Sequence, residues 1–453
     1  MPSEPSPDEL SPPCGPALLL SGPRLADGRT VDVRISGGRI EAVGAAGRLS
    51  APERLDLTGY LLLPAPVEAH AHLDEAFTAT PRQPGRAPGA GADAVGQGAL
   101  EDEPLGEQLQ RRITEAALSG LGYGAVVQRT QVRIGGRAGL AGVTAALQAG
   151  RALHGLMELQ VVVLPGRLTG RPGAAGLDLL REAVAMGAHA VGGFPDGDPD
   201  PEGHLRTVIA VAEKGGIPLD LHLDVGEPDR LARLTTALAP LGRPVSLGPC
   251  PALGRLAPRA VRACAEELAK AGVAVVALPQ SSRCVGLDGA PGDGLPCAVG
   301  NGTVGNGTVG PYTAADAAGP AGGRALPVGL LSAAGVLVAA GSGALRDTAN
   351  PVGRVDPLEA AFLLAASGEL DEHAAYGTVS GVARTVLGLP PVLIAPGFPA
   401  DLLAVRGDSL RGVLSGGHSR VVFYGGRVVS RTSAVREFAE TTAAAVPRQG
   451  RCP

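Results

Sequence analysis

The segment LLLPAPVEAHAH, residues 61–72, decides how the chain is interpreted. A short apolar run of this kind is typical of a buried strand, and this one ends in a His-x-His pair. Because the side chains of a strand alternate between its two faces, His70 and His72 lie on the same side. Two neutral imidazoles on one side can bind one divalent metal ion such as zinc or iron. A bare His-x-His pair also fits two polar residues at a strand edge, so the rest of the chain has to distinguish the two interpretations.

Eight apolar, strand-like runs alternate with amphipathic, helix-like segments along the chain. The runs are LLLPAPVEA, GAVVQRTQV, LQVVVLP, AHAVGGFP, IPLDLHL, RPVSLGP, GVAVVALP and GVLVAAG. Strands that alternate with helices form a parallel sheet, and eight strands close a (β/α)8 TIM barrel. Active sites of such barrels lie at the C-terminal ends of the strands. His70, His72 and His222 all fall at such ends, His222 at the end of the fifth run.

The composition agrees with a cytoplasmic α/β protein. At 453 residues the chain suits a barrel with a smaller appended domain, and its 45% of hydrophobic residues can build a large core. A net charge of −5 provides no basic surface for nucleic acid or for a membrane. Six cysteines without C-x-x-C spacing indicate reduced thiols, and no apolar run reaches the length of a membrane span. We therefore expect no nucleic acid and no membrane partner, and leave a homo-oligomer open.

Both ends of the chain carry motifs that resemble the amidohydrolase superfamily. Near the N terminus, ISGGRIEAVG and DLTGYLLLP resemble the hairpin and the connection that precede the first barrel strand of that family. Near the C terminus, APGFPADLLAVRGD and VVFYGGRVVSRT resemble the strands that return to complete its small β-domain. The segments HLD, DLHLD and GSGALRDTANPVG are most similar to the cytosine deaminase branch. The resemblance extends from about residue 18 to residue 431.

The resemblance implies a domain organisation. It predicts an α/β fold with a (β/α)8 barrel over residues 63–392. A small β-sandwich domain is expected from residues 18–62 together with residues 393–431. Residues 1–17, rich in proline and serine, are expected to form a disordered leader, and residues 432–453 a C-terminal tail.

The resemblance also implies a metal centre, in which His70, His72 and His222 would hold zinc or iron. Three neutral imidazoles with an open fourth position can bind zinc and lower the pKa of its water to about 7. Considered alone, His222 better fits a histidine that caps its strand through a hydrogen bond to the next loop, and only the nearby His-x-His pair makes the ligand interpretation as plausible.

Other functional positions of the cytosine deaminase pattern are replaced in this chain. The proton-shuttling glutamate after the fifth strand corresponds to Val225, the sixth-strand histidine to Pro249 and the eighth-strand aspartate to Gly343. The glutamine after the third strand corresponds to Gly166, and the second strand ends in TQVR, residues 130–133, where the family carries a histidine and an acidic residue. Because the side chains of Val225, Pro249 and Gly343 cannot carry protons or charge, we expect weak metal binding and weak or lost activity.

Few residues remain to replace those groups. Asp224 and Asp347 are the candidates for proton transfer, and Cys250 is the candidate for an additional metal ligand. Two low-complexity segments, residues 79–103 and 284–324, the second with the repeat NGTVGNGTVG, are interpreted as a mobile lid or as loops released from constraint.

Three functions are compatible with the sequence. The first is a metal-dependent hydrolase acting on C–N bonds, other than peptide bonds, of small cyclic amides or amino-heterocycles. The second is a catalytically inactive barrel that binds a small molecule or regulates a partner. The third is an oligomeric scaffold, which no motif specifically favours.

Overall fold

The computed structural model describes residues 16–79, 106–136, 139–280 and 325–435. Most of the predicted leader and of the predicted tail lies outside the described residues. The same holds for residues 80–103 of the first low-complexity segment and for the whole second segment with its NGTVG repeat. None of the helices in the described residues combines the length and apolar composition that a membrane crossing requires.

The described residues contain strands in two separate sheets. In chain order the strands are β1 Leu18–Arg24, β2 Thr30–Ser36, β3 Arg39–Ala45, β4 Glu53–Asp56, β5 Tyr60–Pro64, β6 Val67–Ala71, β7 Val127–Ile134, β8 Glu158–Pro165, β9 Ala190–Gly193, β10 Leu219–Leu223, β11 Val245–Pro249, β12 Ala274–Ala277, β13 Val338–Ala340, β14 Leu402–Arg406, β15 Arg420–Tyr424 and β16 Arg427–Thr432.

Helices separate most of the barrel strands and also follow the last of them. The α-helices are α1 Glu107–Gly122, α2 Ala141–Ala152, α3 Gly170–Ala185, α4 Pro201–Gly215, α5 Pro228–Leu238, α6 Pro258–Ala271, α7 Val328–Ala333, α8 Pro357–Ala366, α9 Glu372–Thr378, α10 Gly381–Val386 and α11 Leu410–Gly416. Several begin with proline, whose missing N–H is not needed in the first turn. Helices α4 and α6 are followed directly by Gly216 and Gly272, both with φ of 65°. Glycines at the ends of these two segments predicted such helix stops from the sequence.

Strands β6 to β13 pair in chain order, each parallel to the next. The eight predicted runs account for these eight strands, which confirms the (β/α)8 barrel. The first run divides in two, because residues 60–64 form β5 of the other sheet and residues 67–71 form β6 of the barrel. Pro66 lacks a backbone N–H to continue strand pairing, which fits a change of sheet at this point.

The barrel closes where the chain following β13 meets β6. Gly343 N–H donates to the carbonyl of His70, and His72 N–H donates to the carbonyl of Gly343, each at 2.9 Å. Glu68 reinforces this closure, since its carboxyl group accepts bonds from the Ser342 backbone N–H at 2.8 Å and the Ser342 hydroxyl at 2.7 Å. The position where the family pattern has an aspartate therefore lies directly beside both histidines of the first strand.

The second sheet is built from both ends of the described chain, as predicted. Its strand order is β16-β15-β14-β5-β1-β2-β3, with β4 paired to β1. The antiparallel pairing of β5 with β14 joins the two terminal segments, and Leu63 lies opposite Leu403. Side chains including Leu20, Val33 and Phe423 form a separate apolar core for this domain.

A buried ion pair attaches this sheet to the helices of the barrel. The Arg420 guanidinium on β15 donates to both carboxylate oxygens of Asp356 at 2.9 Å and to the carbonyl of Tyr123 at 2.7 Å. Asp356 also caps α8 by accepting from Leu358 N–H at 3.0 Å. One carboxylate thus links a strand of the terminal sheet to a helix of the barrel.

Candidate metal centre

Three imidazoles converge at the C-terminal mouth of the barrel. His70 lies on β6, His72 directly follows it, and His222 lies on β10. One ring nitrogen of each can be chosen so that all three lie within 4.8 Å of one another. The Nε2 atoms of His72 and His222 are 3.4 Å apart. The two strands, which are distant in sequence, therefore present their side chains to one common point.

The geometry fits a divalent metal ion. Two nitrogens that each lie about 2.0–2.1 Å from one tetrahedral ion are roughly 3.3–3.4 Å apart, close to the separation between His72 and His222. Among the described residues, the buried His70 Nε2 atom has no hydrogen-bond partner that would compete with an ion. The buried His204 differs, since its Nδ1 pairs with Asp198 at 3.0 Å and its Nε2 accepts from Phe194 N–H at 3.3 Å. These three histidines could hold a metal ion, whereas His204 has a structural role.

The electrostatic environment keeps the three imidazoles neutral. Burial lowers the pKa of His70 and of His222 well below the usual value, and the neighbouring imidazoles lower it further. Burial also lowers the pKa of His72, although Glu75 opposes this effect. Metal ions bind the neutral form of imidazole, so ring charge does not oppose ligation at neutral pH.

Within the described residues, this group of potential metal ligands contains the three histidines alone. Gly343 has a φ of 77° and bridges His70 and His72 through its backbone. Cys250 is buried and outside the group, and burial raises the pKa of its thiol to about 12, which disfavours the thiolate that binds metals. The suggestion of Cys250 as a replacement ligand finds no support in this arrangement.

The two candidate proton-transfer residues are engaged in loop contacts. Asp224 accepts a hydrogen bond from the Ala252 backbone N–H at 2.5 Å and pairs with Arg255 at 3.0 Å. Asp347 accepts from the backbone N–H groups of residues 345, 349 and 350 at 2.8–3.2 Å. These contacts connect the loop after β10 to the one after β11 and order the loop after β13. A catalytic role for either carboxylate therefore stays a prediction.

A polar network lies inside the barrel next to His70. Gln131 Nε2 on β7 lies 3.4 Å from His70 Nδ1 and 3.3 Å from Asp220 Oδ2 on β10. Arg129 Nη1 pairs with the same Asp220 oxygen at 3.3 Å, and the Arg129 guanidinium also donates to Gln160 Oε1 at 2.9 and 3.1 Å. Both charged residues of this pair are almost completely buried. The candidate metal centre thus adjoins a charged network in the barrel interior through the contact between His70 and Gln131.

This network was missed in the sequence analysis, although strand alternation carries a signal for it. Arg129 and Gln131 are two residues apart on β7, as are Asp220 and His222 on β10, so each pair shares a face. Once His222 is assigned to the barrel interior, Asp220 must point there as well. From the sequence, Gln131 was considered only as part of the segment 130–133, which stands where the family carries a histidine and an acidic residue.

Glu68 is a further buried carboxyl group near the metal centre. It accepts from the His70 backbone N–H at 3.0 Å as well as from Ser342. Burial raises its pKa to about 7, and the hydrogen bonds only partly oppose this effect. Its contacts are with backbone and hydroxyl groups, so its role is to hold the barrel closure in place.

Comparisons with known proteins identify relatives of the chain. No protein-family model matches it. N-isopropylammelide isopropyl amidohydrolase from Pseudomonas sp. strain ADP is 27% identical over 222 residues, which cover 46% of this chain and 54% of the relative. Pterin deaminase from Rhizobium rhizogenes strain K84 is 29% identical over 265 residues, which cover 56% of this chain and 53% of the relative. The chain thus spans about half the length of the curated relatives it matches.

A solved structure matches over a larger share. The crystal structure of N-isopropylammelide isopropylaminohydrolase from Burkholderia multivorans superposes with a TM-score of 0.73 at 25% identity, covering 92% of this chain and 98% of that one. Together these matches confirm the predicted resemblance to hydrolases and deaminases of the amidohydrolase superfamily.

Proposed function

We propose that this chain, whose relatives and structural neighbours are deaminases and hydrolases of the amidohydrolase superfamily, is a metal-binding barrel that acts on C–N bonds of small nitrogen heterocycles. His70, His72 and His222 would be the protein ligands of zinc or iron. The observation that carries the proposal is the convergence of these three neutral imidazoles at the barrel mouth.

Each residue of the proposed site has a definite task. A bound zinc or iron ion would supply a water of lowered pKa as the nucleophile. His72 and His222, whose Nε2 atoms lie 3.4 Å apart, would hold the ion together with His70. The backbone pairing of His70 and His72 with Gly343 would keep the first-strand ligands in place when substrate binds.

We further propose that hydrolysis is slow or lost. Val225, Pro249 and Gly343 stand where the resembled family carries its proton shuttle, its polarising histidine and its metal-binding aspartate. General acid–base assistance is typically worth about 10²–10⁴-fold in rate, and an electrostatic stabiliser about 10²–10³-fold. A barrel without them would bind a heterocycle near the metal more readily than it would cleave one.

The test combines metal analysis with an activity assay on the full chain. The protein is loaded with zinc or iron, metal per chain is counted, and release of ammonia or isopropylamine is followed with N-isopropylammelide, pterin and cytosine. We expect about one metal ion per chain, lost in His70→Ala and retained in His154→Ala, which changes an exposed histidine outside the site. Failure of the unmodified chain to retain zinc or iron would refute the proposal. Heterocycle binding without hydrolysis would identify an inactive, ligand-binding barrel.

A further inference from the structure

The side-chain amide of Gln131 lies between a proposed metal ligand and a buried carboxylate. Its Nε2 atom is 3.4 Å from His70 Nδ1 and 3.3 Å from Asp220 Oδ2. Its Oε1 atom is buried and has no hydrogen-bond partner among the described residues. The amide is therefore oriented by contacts of its NH2 group alone.

Asp220 determines this orientation. Its Oδ2 atom accepts from Arg129 Nη1 at 3.3 Å, in an ion pair whose side chains are only 2% and 1% exposed. A carboxylate bound to a guanidinium has only acceptor sites to offer, so it attracts the NH2 group of the amide and repels the carbonyl oxygen. Rotating the Gln131 amide by half a turn would place two acceptors against each other in the barrel interior.

The orientation of the amide has a consequence for His70. An NH2 group can only donate, so His70 Nδ1 is the acceptor, and the single proton of the neutral imidazole is carried by Nε2. The buried Nε2 atom of His70 also lacks a hydrogen-bond partner within the part of the chain that the structure describes. A ring nitrogen that carries a proton has no lone pair for a metal ion.

We propose that Gln131, oriented by Asp220, is a positioning residue that holds His70 as its Nε2–H tautomer and thereby lowers the affinity of the three-histidine site for a divalent metal. This inference rests on the proposed metal-binding function. Loading the site then requires the Nε2 proton to leave to solvent and another to be taken up at Nδ1, so the imidazole stays neutral. The Gln131 amide must also rotate so that Oε1 accepts the new Nδ1–H, and this rotation breaks its hydrogen bond to Asp220.

A common role for a residue behind a metal ligand is the opposite one. Such residues usually accept the second N–H of the histidine, and their loss weakens metal binding by about 10–100-fold. Removal of Gln131 should here strengthen binding, because it frees His70 to adopt the Nδ1–H tautomer. The sign of the change therefore separates the two roles.

The tautomer can be measured directly in the full chain without metal. Nuclear magnetic resonance of ¹⁵N-labelled histidine, with His70 assigned by loss of its signal in His70→Gln, should show a protonated Nε2 and an unprotonated Nδ1. In Gln131→Leu this preference should disappear, and zinc affinity measured by chelator competition should rise by about tenfold. Gln128→Leu is the matched control, because Gln128 lies on the same strand and contacts the carbonyls of Ala117 and Ala125 instead of His70.

Several outcomes would overturn the inference. A protonated Nδ1 on His70 in the unmodified chain would do so, as would weaker zinc binding by Gln131→Leu, or by Gln131→Met should the leucine variant not fold. Because the tautomer is read without metal, absence of zinc binding alongside an Nε2–H tautomer would refute the proposed metal function and not the tautomer assignment.

Discussion

The Nε2 atoms of His72 and His222 lie 3.4 Å apart although 150 residues separate them in the chain. Two strands on different sides of the barrel deliver them, so the pair forms only when the barrel closes. Because neither nitrogen has another hydrogen-bond partner among the described residues, the pair provides the most direct test of the proposed metal centre.

His222→Ala should abolish zinc binding while leaving the fold intact. The change removes one of three imidazoles and leaves two, which are too few for a stable zinc site. Zinc bound per chain after dialysis is the measurement, and thermal melting checks folding. His154→Ala, at an exposed position, should retain the metal. Equal zinc content in His222→Ala and the unmodified protein would contradict the proposed ligand set.

The sequence predicted this site in part, for a physical reason. Strand alternation alone places His70 and His72 on one face, and parallel strands in a closed barrel bring His222 to the same end. The Gln131–Asp220 contact could not be derived in this way, because it depends on the exact stagger between β7 and β10. The contact of Glu68 with Ser342 depends likewise on how the last strand meets the first.

Glu68→Gln should stabilise the metal-free protein at alkaline pH. The folded state raises the Glu68 pKa from its ordinary value of 4.5 to about 7, so folding favours the protonated form. The stability that this group contributes is therefore present below pH 4.5 and is lost as the pH rises through about 7. A glutamine imitates the protonated form, since its NH2 group can donate to the Ser342 hydroxyl. The gain should reach about 3 kcal/mol at pH 8 and disappear near pH 4.5.

Denaturant unfolding of the metal-free protein between pH 5 and pH 8 measures this difference. Glu53→Gln is the matched control, because Glu53 is exposed and the same exchange there should give no pH-dependent change. If Glu68→Gln were less stable than the unmodified chain at pH 8, the carboxyl group would be ionised and stabilising in the fold, contrary to this expectation.

Arg420→Ala should destabilise the protein far more than a comparable change at the surface. It leaves the buried Asp356 carboxylate without the guanidinium that bonds both its oxygens, and breaking a buried pair in this way typically costs about 3–5 kcal/mol. Arg411, with 79% of its side chain exposed, pairs with Glu372 at 2.7 Å, and Arg411→Ala should cost at most about 1 kcal/mol. Unfolding in guanidinium chloride compares the two variants. Similar unfolding midpoints would show that the buried pair contributes little to the stability of the fold.

The contact between the terminal sheet and the barrel could be predicted from the sequence only in part. Motifs at both ends predicted that the terminal segments share a sheet, because both resemble parts of the small β-domain of the amidohydrolase superfamily. Nothing local to Arg420 or Asp356 indicates that they meet, since each belongs to a different sequence segment with its own pattern. Their pairing follows from how the sheet packs against the barrel, which local periodicity does not encode.

The combined variant Val225→Glu, Pro249→His and Gly343→Asp should gain hydrolytic activity that none of the single changes provides. Catalytic groups that act as a unit are strongly non-additive, so a proton shuttle without a metal aspartate should achieve little. Together the three changes should raise turnover with zinc or iron by about 10² or more, measured as ammonia release from cytosine and related heterocycles.

The structure indicates where this variant is vulnerable, because Gly343 has a φ of 77° and links His70 to His72 through its backbone. A side chain in this left-handed conformation costs about 1–2 kcal/mol, although aspartate tolerates it better than most residues. Gly343→Ala measures that strain without adding a carboxylate, and thermal melting of both variants must precede the assay. Adding His70→Ala to the combined variant should remove any activity gained. Robust metal-dependent hydrolysis by the unmodified chain, abolished by His70→Ala, would instead show that other groups, with Asp224 and Asp347 as the first to examine, already perform the proton transfer.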